Sequence, residues 1–202
     1  MEVKSQITQK NIEDFWIKVY FDLSVGYKIA AIKRAYRDFN RTLEDFPKDE
    51  IQKHSLKANW IMILKNKVEE LLSIHFNNHE EFTIWHQSTC FQLRTANSDY
   101  HLSQGQAQKW INMTLKYLYA LGEDRVGGIS FNYQFFHVPI DNIIMTKFQN
   151  DGINKFDTAW SKIKDYNTYY EYQIKVRDMY KDQIPMDVEF LLFNEKQANL
   201  LP

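Results

Sequence analysis

The sequence has little glycine and proline, the residues that most often form turns. Six glycines and four prolines among 202 residues amount to about 5 %, where average proteins carry roughly 12 %. A β-sandwich or β-barrel needs a turn after every short strand. The scarcity of turn residues therefore argues against both of these all-β classes.

Cysteine and long apolar runs are also nearly missing. Cys90 is the only cysteine, so an internal disulfide is excluded. No apolar run approaches the roughly 20 residues that a membrane-spanning helix needs. The start of the chain, MEVKSQITQK, lacks the apolar stretch of a signal peptide. These absences predict a cytoplasmic protein that does not enter a membrane.

Neither sign of charge is in excess. Lysine and arginine number 25 and aspartate and glutamate 26, which gives a net charge of −1. The chain as a whole therefore does not attract nucleic acid or anionic lipid, and a polyanion must meet a local basic patch. Binding through few phosphate contacts would depend only weakly on salt. Lysine is scarce in the middle of the chain, where Lys109 and Lys116 are the only two between Lys67 and Lys147.

Hydrophobic and aromatic residues are abundant. They make up 44 % and 15 % of the chain, enough to bury a core without disulfide or metal support. Apolar residues recur at helical spacing in stretches at about residues 15–23, 29–39, 51–76, 78–91, 103–121, 140–148, 159–164, 165–180 and 185–193. We predict an all-α protein, with residues 1–202 forming one compact multi-helix domain of one or two lobes.

The helix over residues 103–121 has the clearest boundaries. Ser103 and Gln106 fit a capping box, and Gly122 is a typical helix end. Residues 122–139 hold three glycines and an aromatic run, which predicts a long loop or a short hairpin. Pro139 then begins a further helix that has Asp141 in its first turn.

Lys109 and Asp141 are the strongest candidates for catalytic residues. Lys109 lies in the first turns of its helix beside Trp110, where the helix dipole and burial both favour a neutral, nucleophilic amine. Base removal from a sugar needs such an amine to attack C1′ and a carboxylate to stabilise the oxocarbenium-like sugar. The alternatives are a solvated lysine, an aspartate that only caps its helix, and a helix start that holds a phosphate.

The two segments resemble the core of the helix-hairpin-helix DNA glycosylases, in particular the 8-oxoguanine DNA glycosylase branch. In that branch a Gly-x-Gly-x-Lys turn opens the helix of the nucleophilic lysine, and a Val-Pro-x-Asp segment opens the next helix. The matching residues here are Gly105, Lys109, Val138, Pro139 and Asp141. Ala107 replaces the second glycine, and the spacing of Lys109 and Asp141 is longer than the family's usual one.

The resemblance implies an enzyme that flips a damaged or modified base out of duplex DNA and cleaves its N-glycosidic bond, without a metal or an organic cofactor. Lys109 would form a Schiff base, from which AP-lyase elimination could follow, and Asp141 would be its electrostatic partner. Similar small prokaryotic proteins include repair enzymes and antiviral factors that act on modified phage bases. The helix start would contact the DNA backbone through Gly105, Gln106, Ala107 and Gln108.

We also expect aromatic residues near these segments to line the base pocket, with core packing as the alternative. The candidate residues are Trp110, Tyr133, Phe135, Phe136 and His137.

Two other functions stay open. One is a non-catalytic helical module that binds nucleic acid or a protein partner. In that case the basic cluster Lys33, Arg34, Arg37 and Arg41 would be either a phosphate-contact face or a solvated helix face. The other is a ribonuclease, because Arg94 and His101 have the Arg-x6-His spacing that resembles HEPN-type ribonucleases. His75 and His79, at i and i+4, additionally suggest a metal site with Glu80 and Glu81.

Overall fold

The computed structural model describes residues 6–198, with side chains up to residue 194. Within that range the chain forms eight α-helices and four short 3-10 helices, and no residue forms a β-strand. This confirms the predicted all-α class. The α-helices are α1 (Gln9–Tyr20), α2 (Tyr27–Phe39), α3 (Glu50–Ser73), α4 (His79–Thr95), α5 (Gln104–Leu121), α6 (Asn142–Asn150), α7 (Tyr166–Met179) and α8 (Pro185–Ala198).

Helix α5 lies at the centre of the fold. All but three of its 18 residues are buried, and α2 packs along it more extensively than any other pair of helices packs. The predicted capping box forms, since the Gln106 amide donates to Ser103 Oγ at 3.0 Å and the Ser103 amide donates to Gln106 Oε1 at 2.9 Å. The helix ends at Gly122, whose φ is +86°. Lys109 therefore lies on the most enclosed helix of the molecule.

Helix α1 overlaps the helical stretch predicted over residues 15–23, but it begins six residues earlier, at Gln9, ends at Tyr20 and buries none of its side chains. Phe15, Trp16 and Val19 are each 57–62 % exposed. Two kinds of contact attach the helix: Phe21, just after its end, packs against Tyr117 with ring centroids 5.7 Å apart, and Asp14 pairs with Arg125 at 2.7 Å. Helical spacing shows that apolar residues share a face, but it does not show whether another element covers that face.

The irregular segment after α5 is a loop with a 3-10 helix, Ile129–Phe135, rather than a hairpin. Asn132 fastens it to the end of α3, because its side-chain amide donates to the carbonyls of Leu71 and Ile74 at 3.1 and 2.8 Å. Gly128 has a φ of +88°, and a Cβ there would lie 2.4 Å from the Leu72 carbonyl oxygen. This close approach accounts for one of the few glycines.

Two further predicted helices differ from the structure in extent. The helix predicted over 159–164 is only the 3-10 turn Trp160–Lys162, and the helix predicted from residue 140 begins at Asn142, after Asp141 as its N-cap. The buried hydrophobic side chains belong to one cluster. None of the helices in the described range has the length and hydropathy required to cross a membrane.

Candidate active site

Lys109 and Asp141 are in direct contact. Lys109 Nζ lies 2.7 Å from Asp141 Oδ2, although 32 positions separate the two residues. The side chain of Lys109 is 5 % exposed and that of Asp141 is 25 % exposed. The tertiary structure thus joins the two segments that the sequence singled out, and the carboxylate is the more accessible side of the pair.

Asp141 divides its two oxygens between two tasks. Oδ1 accepts hydrogen bonds from the backbone amides of Ile143 and Ile144, both at 2.9 Å, and so caps α6. Oδ2 faces Lys109. Burial raises the pKa of Asp141, but the Lys109 ammonium and the two amides outweigh it, so the pKa lies below its ordinary value of 3.8. The carboxylate is therefore ionised at neutral pH.

The sequence position of Lys109 predicted that it would lie near free backbone amides at the start of α5. The structure shows that it does not. It is the sixth residue of the helix, beyond the first turn. The earlier amides are already bonded: the Gly105 amide donates to the Ile163 carbonyl at 3.2 Å, and the Gln106 amide donates to Ser103. The electrostatic partner of Lys109 is Asp141 and not the helix N-terminus.

The four residues predicted to contact the DNA backbone are buried. Gly105, Gln106, Ala107 and Gln108 lie beneath their neighbours, and Ser103 Oγ donates to the Ser161 carbonyl at 2.6 Å. A Cβ at Gly105 would lie 1.7 Å from the Trp160 carbonyl oxygen. The glycine thus permits close packing of the 3-10 turn on the helix start. No phosphate can reach the Gly105 amide while that turn is in place.

The five residues predicted for the base pocket pack into the core and do not line the cavity beside Lys109. Trp110 Nε1 donates to the Ile32 carbonyl at 2.9 Å, and His137 Nδ1 is hydrogen-bonded to the Tyr169 hydroxyl at 2.9 Å. Tyr133 donates to Asp187 at 2.5 Å. Phe135 and Phe136 are also buried. Residues 136–140 run through the interior before Asp141, so proximity in sequence did not become proximity in space.

A different set of aromatic residues surrounds Lys109 and Asp141. A cavity of about 580 Å³ contains both side chains, within the range that small-molecule sites occupy. Its aromatic walls come from the end of α1, from α5 and from α8: Tyr20, Phe21, Tyr117, Phe190 and Phe193. Its basic edge comes from α2 and the 3-10 turn after it: Arg34, Arg37 and Arg41. The arginine spacing was visible in the sequence, whereas nothing local linked α8 to this place.

A second ion pair lies in the same cavity. Lys116, two turns after Lys109, bonds Glu189 of α8, and each side chain is only 7 % exposed. The rings of Phe190 and Phe193 lie 4.5 and 4.8 Å from the Lys116 ammonium. Burial raises the pKa of Glu189, although Lys116 opposes the shift. These contacts hold α8 against the cavity.

Buried polar side chains fix the segment before Asp141. The Asn112 amide donates to the Val138 carbonyl at 3.1 Å and to the Tyr169 hydroxyl at 2.9 Å. Gln173 bonds both the amide and the carbonyl of Val138, at 3.0 and 2.9 Å. His86 Nε2 donates to the Asn112 side-chain carbonyl at 3.0 Å. This network positions Asp141. Polar residues on otherwise apolar helix faces were the signal in the sequence that could have predicted it.

The other sequence candidates do not assemble. His101 Nδ1 is bonded to the Arg94 backbone carbonyl at 3.0 Å, while the Arg94 guanidinium donates to Gln104 at 3.4 Å. His75 stacks on Phe131 with ring centroids 4.0 Å apart. Across the described part of the chain, no three His, Cys, Asp or Glu side chains are grouped to hold a metal ion.

Neither a protein-family model, nor a curated protein, nor a solved structure matches this chain.

Proposed function

We propose that this protein is a DNA glycosylase in which Lys109 is the nucleophile and Asp141 stabilises the positive charge of the sugar. The contact between Lys109 Nζ and Asp141 Oδ2 at 2.7 Å, inside a cavity of about 580 Å³, is the observation that carries the proposal. An amine and an ionised carboxylate in one enclosed site are the two groups that base removal through a Schiff base uses.

The chemistry follows from the positions of the two groups. The Lys109 ammonium passes one proton to the departing base, and the resulting amine forms a bond to C1′ while the bond from C1′ to the base breaks. The base leaves with the bonding electrons and that proton. As the sugar ring opens, a proton passes from the attached nitrogen to O4′, which leaves an iminium between Lys109 and C1′. Elimination at this intermediate would add AP-lyase activity.

Asp141 supports this reaction because its charge is held in place. Two backbone amides keep Oδ1 fixed, so Oδ2 stays directed at Lys109 Nζ. The partly positive sugar would replace the Lys109 ammonium as the partner of this oxygen. Positioned charge of this kind stabilises a transition state without reorganisation of the site.

The aromatic walls of the cavity are suited to stacking on a planar aromatic ligand. Phe21, Tyr117, Phe190 and Phe193 offer ring surfaces beside the Lys109–Asp141 pair. A base extruded from a duplex needs such surfaces because it loses its stacking in the helix. No metal or organic cofactor enters the proposal, and DNA carrying a damaged or modified base is the proposed partner.

Borohydride trapping tests the proposal. Duplex oligonucleotides with oxidised, deaminated, alkylated or phage-type modified bases are incubated with the protein and borohydride, and free bases are identified by mass spectrometry. We expect a covalent protein–DNA adduct on at least one substrate, lost in Lys109→Met and retained in the exposed-lysine control Lys175→Met. An adduct that survives in Lys109→Met, or no base release from any substrate, would contradict the proposal.

The second candidate is a nucleic-acid-binding module without chemistry. The observation in its favour is the ion pair itself, since a buried lysine bonded to a helix-capping aspartate also ties α5 to α6. This candidate predicts DNA retention by the wild type and by Lys109→Met with no adduct in either. The same trapping experiment thus separates the two functions.

A further inference from the structure

Four basic residues form a continuous strip that leads to the cavity. Lys33 and Lys57 line the groove between α2 and α3, while Arg37 and Arg41 line the exposed edge of the cavity. We call these four residues the α2–α3 basic strip. Lys33, Arg37 and Arg41 follow one another at intervals of four residues, so they lie along one side of α2 and the 3-10 turn after it.

The charges of the strip are not neutralised by ion pairs. None of its four residues forms an ion pair with another residue in the described range, whereas neighbouring lysines do. Lys65 and Lys28, for example, both contact Glu69, at 3.7 and 3.4 Å. The Asp22 carboxylate is within electrostatic reach of the strip, but it accepts hydrogen bonds from Ser24. A row of like charges without counter-charges is a feature that an anionic ligand would stabilise.

The side chains are also crowded against each other. Burial lowers the pKa of Lys57, and the charges of Lys33 and Arg37 lower it further. Lys57 lies over the Tyr36 ring, 4.5 Å from its centroid, which holds the ammonium in place. The protein thus keeps these cations together despite their repulsion. Such an arrangement is unfavourable alone and favourable beside a chain of phosphates.

The start of α5 is covered, whereas the strip adjoins the cavity through Arg37 and Arg41. A strand that places one nucleotide beside Lys109 must cross the cavity edge, where Arg37 and Arg41 are exposed. Residues four apart on a helix lie about 5–6 Å from each other, a spacing suited to neighbouring phosphates of one strand. Arginine can in addition bond two phosphate oxygens at once.

We infer that the α2–α3 basic strip binds the sugar–phosphate backbone of a DNA strand and guides it to the cavity edge. The strip thereby takes the place of the helix start at Gly105 as the phosphate-contact surface. The inference rests on the proposed function for the choice of DNA as the ligand, and its test involves no base removal.

The test measures binding of an unmodified single-stranded oligonucleotide by fluorescence anisotropy between 50 and 200 mM salt. The wild type is compared with Arg37→Gln/Arg41→Gln and with the charge-matched control Lys175→Gln/Lys181→Gln, two exposed lysines outside the strip. Each phosphate contact contributes about 0.7 to the slope of log K against log salt for a single strand. We expect the slope of the strip variant to fall by about 1.4, so that the wild type loses about sevenfold more affinity over this range.

The control should keep the wild-type slope, and circular dichroism should show equal helix content in all three proteins. An unchanged slope in the strip variant would overturn the inference. So would a wild type that ignores the oligonucleotide but binds phosphatidylserine vesicles through Arg37 and Arg41, which would assign the strip to a membrane surface. Because no adduct or released base is measured, a failed trapping experiment leaves this result interpretable, and the reverse also holds.

Discussion

Gln108 and Ile140 are joined by two hydrogen bonds, one residue before each member of the Lys109–Asp141 pair. Gln108 Nε2 donates to the Ile140 carbonyl at 3.0 Å, and Gln108 Oε1 accepts from the Ile140 amide at 3.3 Å. This double contact aligns α5 with the segment that leads into α6. The Lys109–Asp141 geometry is therefore set by a buried amide next to it in sequence.

Replacing Gln108 with leucine tests this alignment. The substitution leaves the Ile140 amide and carbonyl buried without partners, so we expect the free energy of unfolding to fall by about 2–4 kcal/mol. Urea unfolding measures the change, with the exposed Gln52→Leu as a control expected to stay within about 0.5 kcal/mol. Equal stability of the two variants would show that Gln108 does not hold the segment.

Gly105→Ala tests the close packing at the start of α5. The added Cβ would lie 1.7 Å from the Trp160 carbonyl oxygen, so the 3-10 turn must move. We expect a loss of stability of about 1–3 kcal/mol, typical of overpacking. Gly127→Ala is the matched control, because a Cβ at Gly127 meets nothing within 4 Å. Thermal unfolding compares them, and a neutral Gly105→Ala would instead indicate an open turn that a ligand could reach.

The Lys109–Asp141 pair should show coupling in a double-mutant cycle. Lys109→Met leaves the Asp141 carboxylate without its cation, and we expect the free energy of unfolding to fall by about 1–3 kcal/mol, because two amides still stabilise the carboxylate. Adding Asp141→Asn removes that charge and keeps a good N-cap. The double variant should therefore be more stable than the sum of the single changes predicts. Strict additivity in urea unfolding would exclude a direct interaction.

Buried histidines make the protein sensitive to mild acid. Burial lowers the pKa of His86 to about 3, although its hydrogen bond to Asn112 raises it, and burial also holds the pKa of His137 well below 6.5. Below about pH 6.5, and for His86 down to about pH 3, these histidines bind protons in the unfolded chain but not in the folded one, so we expect stability to decrease as pH falls.

For His86 alone we expect a loss of about 2 kcal/mol at pH 5 relative to pH 7. Urea unfolding at the two pH values measures it. His86→Leu is less stable at both values, and we expect its pH dependence to shrink by about that amount. The control Gln52→Leu, which changes no titratable group, should keep the wild-type dependence. A stability that does not change between pH 7 and pH 5 would contradict the assignment of neutral buried histidines.

Local sequence was sufficient for the helices. Ser103, Gln106 and Gly122 set the ends of α5 through contacts within a few residues of each other. Apolar spacing placed the other α-helices to within about five residues, except that α1 begins six residues before the predicted stretch. The same locality explains the errors. The exposed face of α1 and the single 3-10 turn at Trp160–Lys162 depend on which distant elements pack there, and periodicity carries no information about that.

The sequence also identified Lys109 and Asp141 as a pair, but it assigned them the wrong surroundings. Aromatic residues next to Asp141 in the chain, such as Phe136, were drawn into the core, while the aromatic side chains beside the pair come from α1, α5 and α8. Short-range bonds and helix periodicity settle where helices begin and end. Only long-range packing decides which helix faces meet. Packing placed the Lys109–Asp141 contact in a cavity edged by Arg37 and Arg41, and it covered the start of α5 with Trp160.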